Sequence, residues 1–269
     1  MRTRWLVRVG YDGTSFHGWA RQPGLRTVEG ELRAGLHAHH PGLRSEDAGL
    51  SVASRTDRGV SARANAFALH SELRGGALLR ILNGVSPEIL CTAAAPIDEG
   101  FRPRRAVRRT YRYYEPDPGS PDRMADAARL FRGPIDVRTF GRGIRSSEPS
   151  FREVESTGLT PVPGGLVIEV RARSFVWGMV RKMVGALREY GEGRVTLQQL
   201  RGAIRGETRL TLPLAAPDRL ILWEVEYDLP WSVRWTGPNR HQRAWLLSAR
   251  HRRWSESEVH ATLSDLGPR

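Results

Sequence analysis

Strand-like and helix-like segments follow one another along this chain without strict alternation. That pattern argues against a doubly wound parallel sheet and points to an α+β fold. Trp5 to Tyr11 alternates apolar and polar residues and then meets the turn signal Asp12-Gly13, which predicts a strand. Thr27 predicts the N-cap of a helix whose Leu32 and Leu36 share a face, although Gly30 stands where a complete capping box carries an acid. Strands are expected over 50–53, 64–69 and 89–95, with a short helix over 77–82. A second section follows the arginine-dense stretch 102–112. Its expected elements are an aromatic strand over 110–114, a loop over 117–122, helices over 125–131 and just after Asp136, and a strand over 166–172. The longest helix is expected over 175–190 with Gly191 ending it. A further helix over 197–204 and a closing strand over 220–227 complete the section. By sequence character the chain divides into 1–102, 103–228 and a distinct extension, 229–269.

The extension holds Trp231, Trp235, Trp245 and Trp254, half of the eight tryptophans, among seven arginines and three acids. Ser255-Glu256-Ser257-Glu258 forms a capping box that predicts a helix to about Leu266. Rings so placed are expected to dock on the preceding domain. Arg240, Arg243, Arg250, Arg252 and Arg253 then either face a polyanion or are merely solvated.

At 269 residues the chain has material for one or two domains. Lys+Arg total 42 against 29 Asp+Glu, a formal charge of +13, which makes nucleic acid the first partner class to consider. Lys182 is the one lysine, so an arginine-biased genome gives the same surplus. The single cysteine, Cys91, excludes an internal disulfide framework and a cysteine-built zinc site, and fits a reducing compartment. No run of 18 apolar residues exists, and the amino terminus lacks the apolar core of a signal peptide; a cytoplasmic protein is expected. Among His37, His39 and His40, only His37 and His40 share a helical face, without supporting carboxylates, so no metal is expected. Gly141 and Gly143 lack the strand–turn–helix context of a nucleotide fingerprint.

The densest chemistry lies in Ser51-Val52-Ala53-Ser54-Arg55-Thr56-Asp57-Arg58-Gly59-Val60-Ser61-Ala62, between two expected strands. Asp57 sits between Arg55 and Arg58. Neighbouring positive charge keeps a carboxylate ionised, which suits a nucleophilic or electrostatic role better than general-acid work. A salt-bridged turn accounts for the same residues.

This loop resembles the active-site signature of the TruA-type tRNA pseudouridine synthases. Further ordered motifs resemble the same family: Tyr11-Asp12-Gly13 with 16–22, 27–32, 80–83, 101–104, Arg109-Thr110-Tyr111-Arg112-Tyr113, 174–185 and 220–227. The resemblance covers roughly 4–228, and nothing matches the extension. Ser54, Ser61 and Ala20 depart from common bacterial forms, and Gly59-Val60-Ser61-Ala62 is closer to archaeal and eukaryotic relatives.

The resemblance implies two α+β halves whose antiparallel sheets join beside a basic cleft. It implies a cofactor-free isomerase and homodimer acting on tRNA uridines 38, 39 and 40. A relative acting at other tRNA positions, or a non-catalytic RNA-binding protein, are the alternatives. By resemblance Asp57 is the catalytic aspartate, Arg181 its basic partner, Tyr111 the residue stacking on the target uracil and Arg55 the base-flipping arginine, with Arg58 a further RNA contact. Each role makes physical sense. A uridine within a stem must leave the stack to react. A planar guanidinium can fill the vacated space, and an aromatic ring offers the extruded base a face. A carboxylate can either attack C1′ or remove a proton from C2′.

Overall fold

The computed structural model describes residues 2–39, 49–116, 118–142 and 150–249. The chain runs through β1 (Thr3–Tyr11), α1 (Val28–His39), β2 (Ser51–Val52), β3 (Ser61–Ser71), α2 (Gly75–Leu82) and β4 (Ile89–Pro96). It continues through β5 (Arg108–Glu115), α3 (Pro121–Ala128), β6 (Gly133–Asp136), α4 (Val137–Phe140), β7 (Phe151–Val162), β8 (Gly165–Ala172), α5 (Met179–Gly191) and α6 (Leu197–Arg205). The last described elements are β9 (Leu220–Glu226), β10 (Val233–Arg234) and α7 (Arg240–Ala249). The fold is α+β.

Two compact units form. The first comprises Met1–Val107 and Ile221–Arg269, the second Arg108–Leu220. The compact units therefore follow a different line from the sequence-based division at 102 and 228. The reason is topological: β9 returns to the first unit to pair with β3.

In the first unit β1 is central, antiparallel to both β3 and β4. Leu6, Val7 and Val9 are fully buried, as are Phe67 opposite Val7 and Leu69 opposite Trp5. β9 runs parallel to β3 through Ser61↔Ile221 and Ala62↔Leu222, so this sheet is mixed where an antiparallel one was expected. α1 and α2 pack together. The α1 N-cap forms as its sequence predicts: Thr27 Oγ1 accepts from the Gly30 amide at 3.2 Å, and Leu32 and Leu36 are buried. Buried Trp19 lies 5.7 Å from both the Tyr11 and the Phe67 ring.

The extension docks on this unit. β10 pairs antiparallel with β4, and Trp235 N donates to Thr92 O at 2.8 Å. Gln242, 1% exposed, donates to Asn83 Oδ1 and to Ile89 O at 3.1 and 2.8 Å. Asn239 Nδ2 reaches Asn83 O at 2.7 Å. Asn83 in turn brackets Cys91 through both side-chain atoms at 2.8 Å. Arg234, Arg240 and Arg243 are exposed. Arg250, Arg252, Arg253, Trp254 and the expected helix beyond them lie outside the described residues, as do His40 and Gly143.

In the second unit β5 pairs with β8, β8 with β7 and β7 with β6, all antiparallel. α5 packs against α3, α4 and α6 with Met179, Met183, Val184 and Leu187 buried. Glu115, whose side chain is 2% exposed, is paired with Arg188 Nε. Arg188 also reaches the Tyr113 hydroxyl at 3.4 Å, so the buried charge is neutralised locally. The expected long helix begins at Met179 rather than Phe175. Gly178, at φ 75°, sits in a left-handed conformation that ends the preceding loop and excludes 175–177 from the helix. Pro121 opens α3 earlier than expected, at a position where its missing N–H costs no helical bond. Among the described residues, no helix is long and apolar enough to cross a membrane.

Candidate active site

The Asp57 loop hangs between β2 and β3 of the first unit and is built on a buried polar chain. Asn65, fully buried on β3, donates to Ser54 O at 2.9 Å and to the Tyr11 hydroxyl at 3.2 Å. That hydroxyl meets Thr56 Oγ1 at 2.7 Å, fixing the residue before Asp57 to the central strand. The loop closes on itself through Val60 N to Asp57 O at 3.1 Å, with Gly59 at φ 81°.

Its floor is the segment after β1. Trp19 N donates to Thr56 O at 3.1 Å and Gly59 N to Phe16 O at 3.4 Å. Gly18 has φ 91°, and a Cβ there would stand 2.8 Å from Thr56 O and 3.1 Å from the Asp57 carbonyl carbon. Gly13 is similarly confined, since a Cβ would overlap the Val60 carbonyl, while its amide donates to Ser61 Oγ at 3.0 Å. The opening motif and the Asp57 loop, far apart in sequence, are thus one layered structure. A carboxylate on such a base is held in one place before any ligand arrives. Asp57 is half-buried, whereas Arg55 and Arg58 on either side are exposed. The three stand together on one loop, two cations facing solvent beside a fixed anion.

The second unit carries Tyr111 and Arg181. Tyr111, on β5 opposite Val170, is half-buried, and the Phe175 ring meets it edge-on at 5.1 Å and 87°. An edge-to-face neighbour fixes the plane of the tyrosine ring. Arg181 lies in the first turn of α5, half-buried. Its Nε donates to Ala215 O at 2.6 Å, and the Ala215 amide returns a bond to Arg181 O at 3.2 Å. Gly185, one turn on, lets the Pro213 carbonyl approach so closely that a Cβ would overlap it. The 213–215 segment thereby sets the orientation of the arginine side chain. Next to it Lys182 Nζ donates to Thr139 O at 2.8 Å. Burial, reinforced by the Arg142 charge, holds the Lys182 pKa below the usual lysine value.

The candidates expected from sequence, Asp57, Arg55, Arg58, Tyr111 and Arg181, did not include the residues that hold them in place. Asn65 was the readable signal, an amide in an otherwise apolar strand that needs buried partners. Phe175 was read as part of a helix. Tyr113 is buried on β5, and burial raises its hydroxyl pKa.

Comparison with known proteins follows the same line. A family model described as tRNA pseudouridine synthase matches residues 127–228. A protein of Thermococcus onnurineus named tRNA pseudouridine synthase A is 38% identical over 229 residues, covering 84% of this chain and 85% of its own. Proteins of the same name from Pyrococcus abyssi and Methanocorpusculum labreanum are 36% and 37% identical, covering 84% and 82% of this chain and 85% and 79% of theirs.

Proposed function

This chain belongs to the tRNA pseudouridine synthase family, and from that premise we propose that it acts on uridines 38, 39 and 40 of the anticodon stem-loop. It is an isomerase that forms pseudouridine in tRNA. The observation that carries the catalytic assignment is the pinned loop presenting Asp57 between two exposed arginines, while the positions rest on the resemblance of the ordered motifs to the family.

The reaction breaks the N1–C1′ bond of uridine and joins C5 to C1′. The proton leaves C5, and N1 gains one, so no oxidant, hydrolysis or metal enters the balance. In the proposed assignment Asp57 acts on the ribose, at C1′ or at the C2′ proton, and Arg181 is its ionic partner. Tyr111 gives the extruded uracil a face, its ring plane set by Phe175. Arg55 occupies the place of the flipped base and Arg58 contacts the backbone. Arginines replacing counterions make binding steeply salt-dependent, and recognition follows the shape of the stem. The proposed working form is a homodimer in the cytoplasm, with one tRNA spanning both subunits.

Tritium release from tRNA labelled at uridine C5 tests the assignment. Asp57→Asn, similar in size but uncharged, is expected to lower turnover by more than a thousandfold while tRNA affinity stays within a few-fold. Turnover near that of the unaltered protein would remove Asp57 from the mechanism. Mapping pseudouridine in the product reads the positions directly. Modification elsewhere, with 38–40 untouched, would overturn the anticodon reading alone.

A further inference from the structure

Among the described residues four large apolar side chains are exposed, and Trp177, at 53%, is the most exposed. Its backbone is firmly held. Trp177 O accepts from Arg142 N at 3.0 Å, Met179 N closes on Val176 O at 3.1 Å, and Lys182 N bonds Gly178 O at 2.9 Å. Gly178, left-handed at φ 75°, turns the chain into α5 immediately afterwards. Phe175, two residues earlier on the same short loop, packs on Tyr111. The indole is therefore displayed on a pinned loop and left in solvent. A cation lies beside it: the Arg142 guanidinium carbon is 5.7 Å from the ring centroid. Lys182 stands near enough to Arg142 for that charge to depress its pKa.

A rigid, solvent-facing indole beside positive charge has the chemistry of a nucleotide-stacking site: a π-face for a base and a cation for the adjoining phosphate. We infer that Trp177 is a stacking platform for an unpaired base of the RNA substrate, with Arg142 as the companion phosphate contact. This rests on the tRNA reading and adds a second aromatic contact to the one proposed for Tyr111.

The test is the affinity of a fluorescently labelled tRNA transcript for the full-length protein, by anisotropy at fixed low salt. Trp177→Ala is expected to weaken binding roughly 5- to 150-fold, the range for loss of one base–aromatic stack. Trp177→Phe should stay within about threefold. Trp177→Leu should behave like alanine, because leucine keeps apolar bulk and lacks a π-face. Arg142→Gln should reduce the slope of log affinity against log salt by about one. The side chain is exposed, so all variants are expected to melt with the parent. Equal affinity for the parent and Trp177→Ala, or restoration by leucine, would overturn the proposal. Tritium release by the parent protein on the same transcript reads the family activity separately, and its absence would count against that activity without deciding the stacking ladder.

Discussion

At the level of single residues, glycines and one asparagine do what the charged residues cannot do for themselves. Gly18 is the sharpest case, because its positive φ and its approach to Thr56 O both exclude a side chain. Gly18→Ala should cost about 1–3 kcal/mol, the range for a non-glycine residue forced into a sparsely populated backbone region. The damage should fall on the Asp57 loop, lowering kcat more than tRNA affinity. Urea unfolding and single-turnover kinetics check both halves, and unchanged kcat would mean that the floor does not position Asp57. The charged candidates stood out because they lie in the densest run of chemistry-bearing residues and in motifs that resemble the family in order. The partners of Asn65, Tyr11 and Phe175 did not, because they lie across the fold.

Among the elements, expected strands and helices formed where burial follows a period, as in β8, α1 and α6. β7 went unread because only Val154 is buried among its twelve residues, so no apolar alternation marks it. β6 opens Gly-Pro, a pair that reads as a turn yet is tolerated at a sheet edge. α7 is anchored in part by the buried Gln242, a contact that periodicity does not detect. The short helix α4 depends on its cap: Asp136 accepts from the Arg138 amide at 2.9 Å and from Arg138 Nε at 2.8 Å. Burial works against ionisation of Asp136, but these bonds outweigh it and hold its pKa below the ordinary aspartate value. Its contribution is therefore complete above about pH 4 and is lost as pH falls through the depressed folded value. Asp136→Asn keeps a competent cap and removes the charge. It should lower stability at pH 7 by about 1–2 kcal/mol and flatten the acid limb of the stability curve. Parallel urea titrations at pH 7 and pH 3 measure this, and an unaltered acid limb would dissociate Asp136 from it.

For the molecule as a whole, the extension after β9 is an integral part of the first unit. It covers the outer edge of β4 and supplies partners to Asn83 and Ile89 O. A chain ending at Asp228 would remove the donors that Asn239 and Gln242 give to Asn83 O and Ile89 O, at roughly 1–3 kcal/mol for each acceptor that stays buried without a replacement. Such a truncation should melt several degrees lower, and calorimetry showing no change would reduce the extension to an ornament. The pairing of β9 with β3 has one more consequence, for biosynthesis. The first unit is assembled from both ends of the message, with the whole second unit translated in between. The edge of β3 away from β1 is covered early by β2 at Phe67 and Ala68, but its Ser61–Ala62 end waits for β9 to emerge from the ribosome. Contacts of such long sequence separation are slow to close. The contiguous stretch from Arg108 to Leu220 needs no such wait, so the order of folding on the ribosome is expected to reverse the order of the units in the chain.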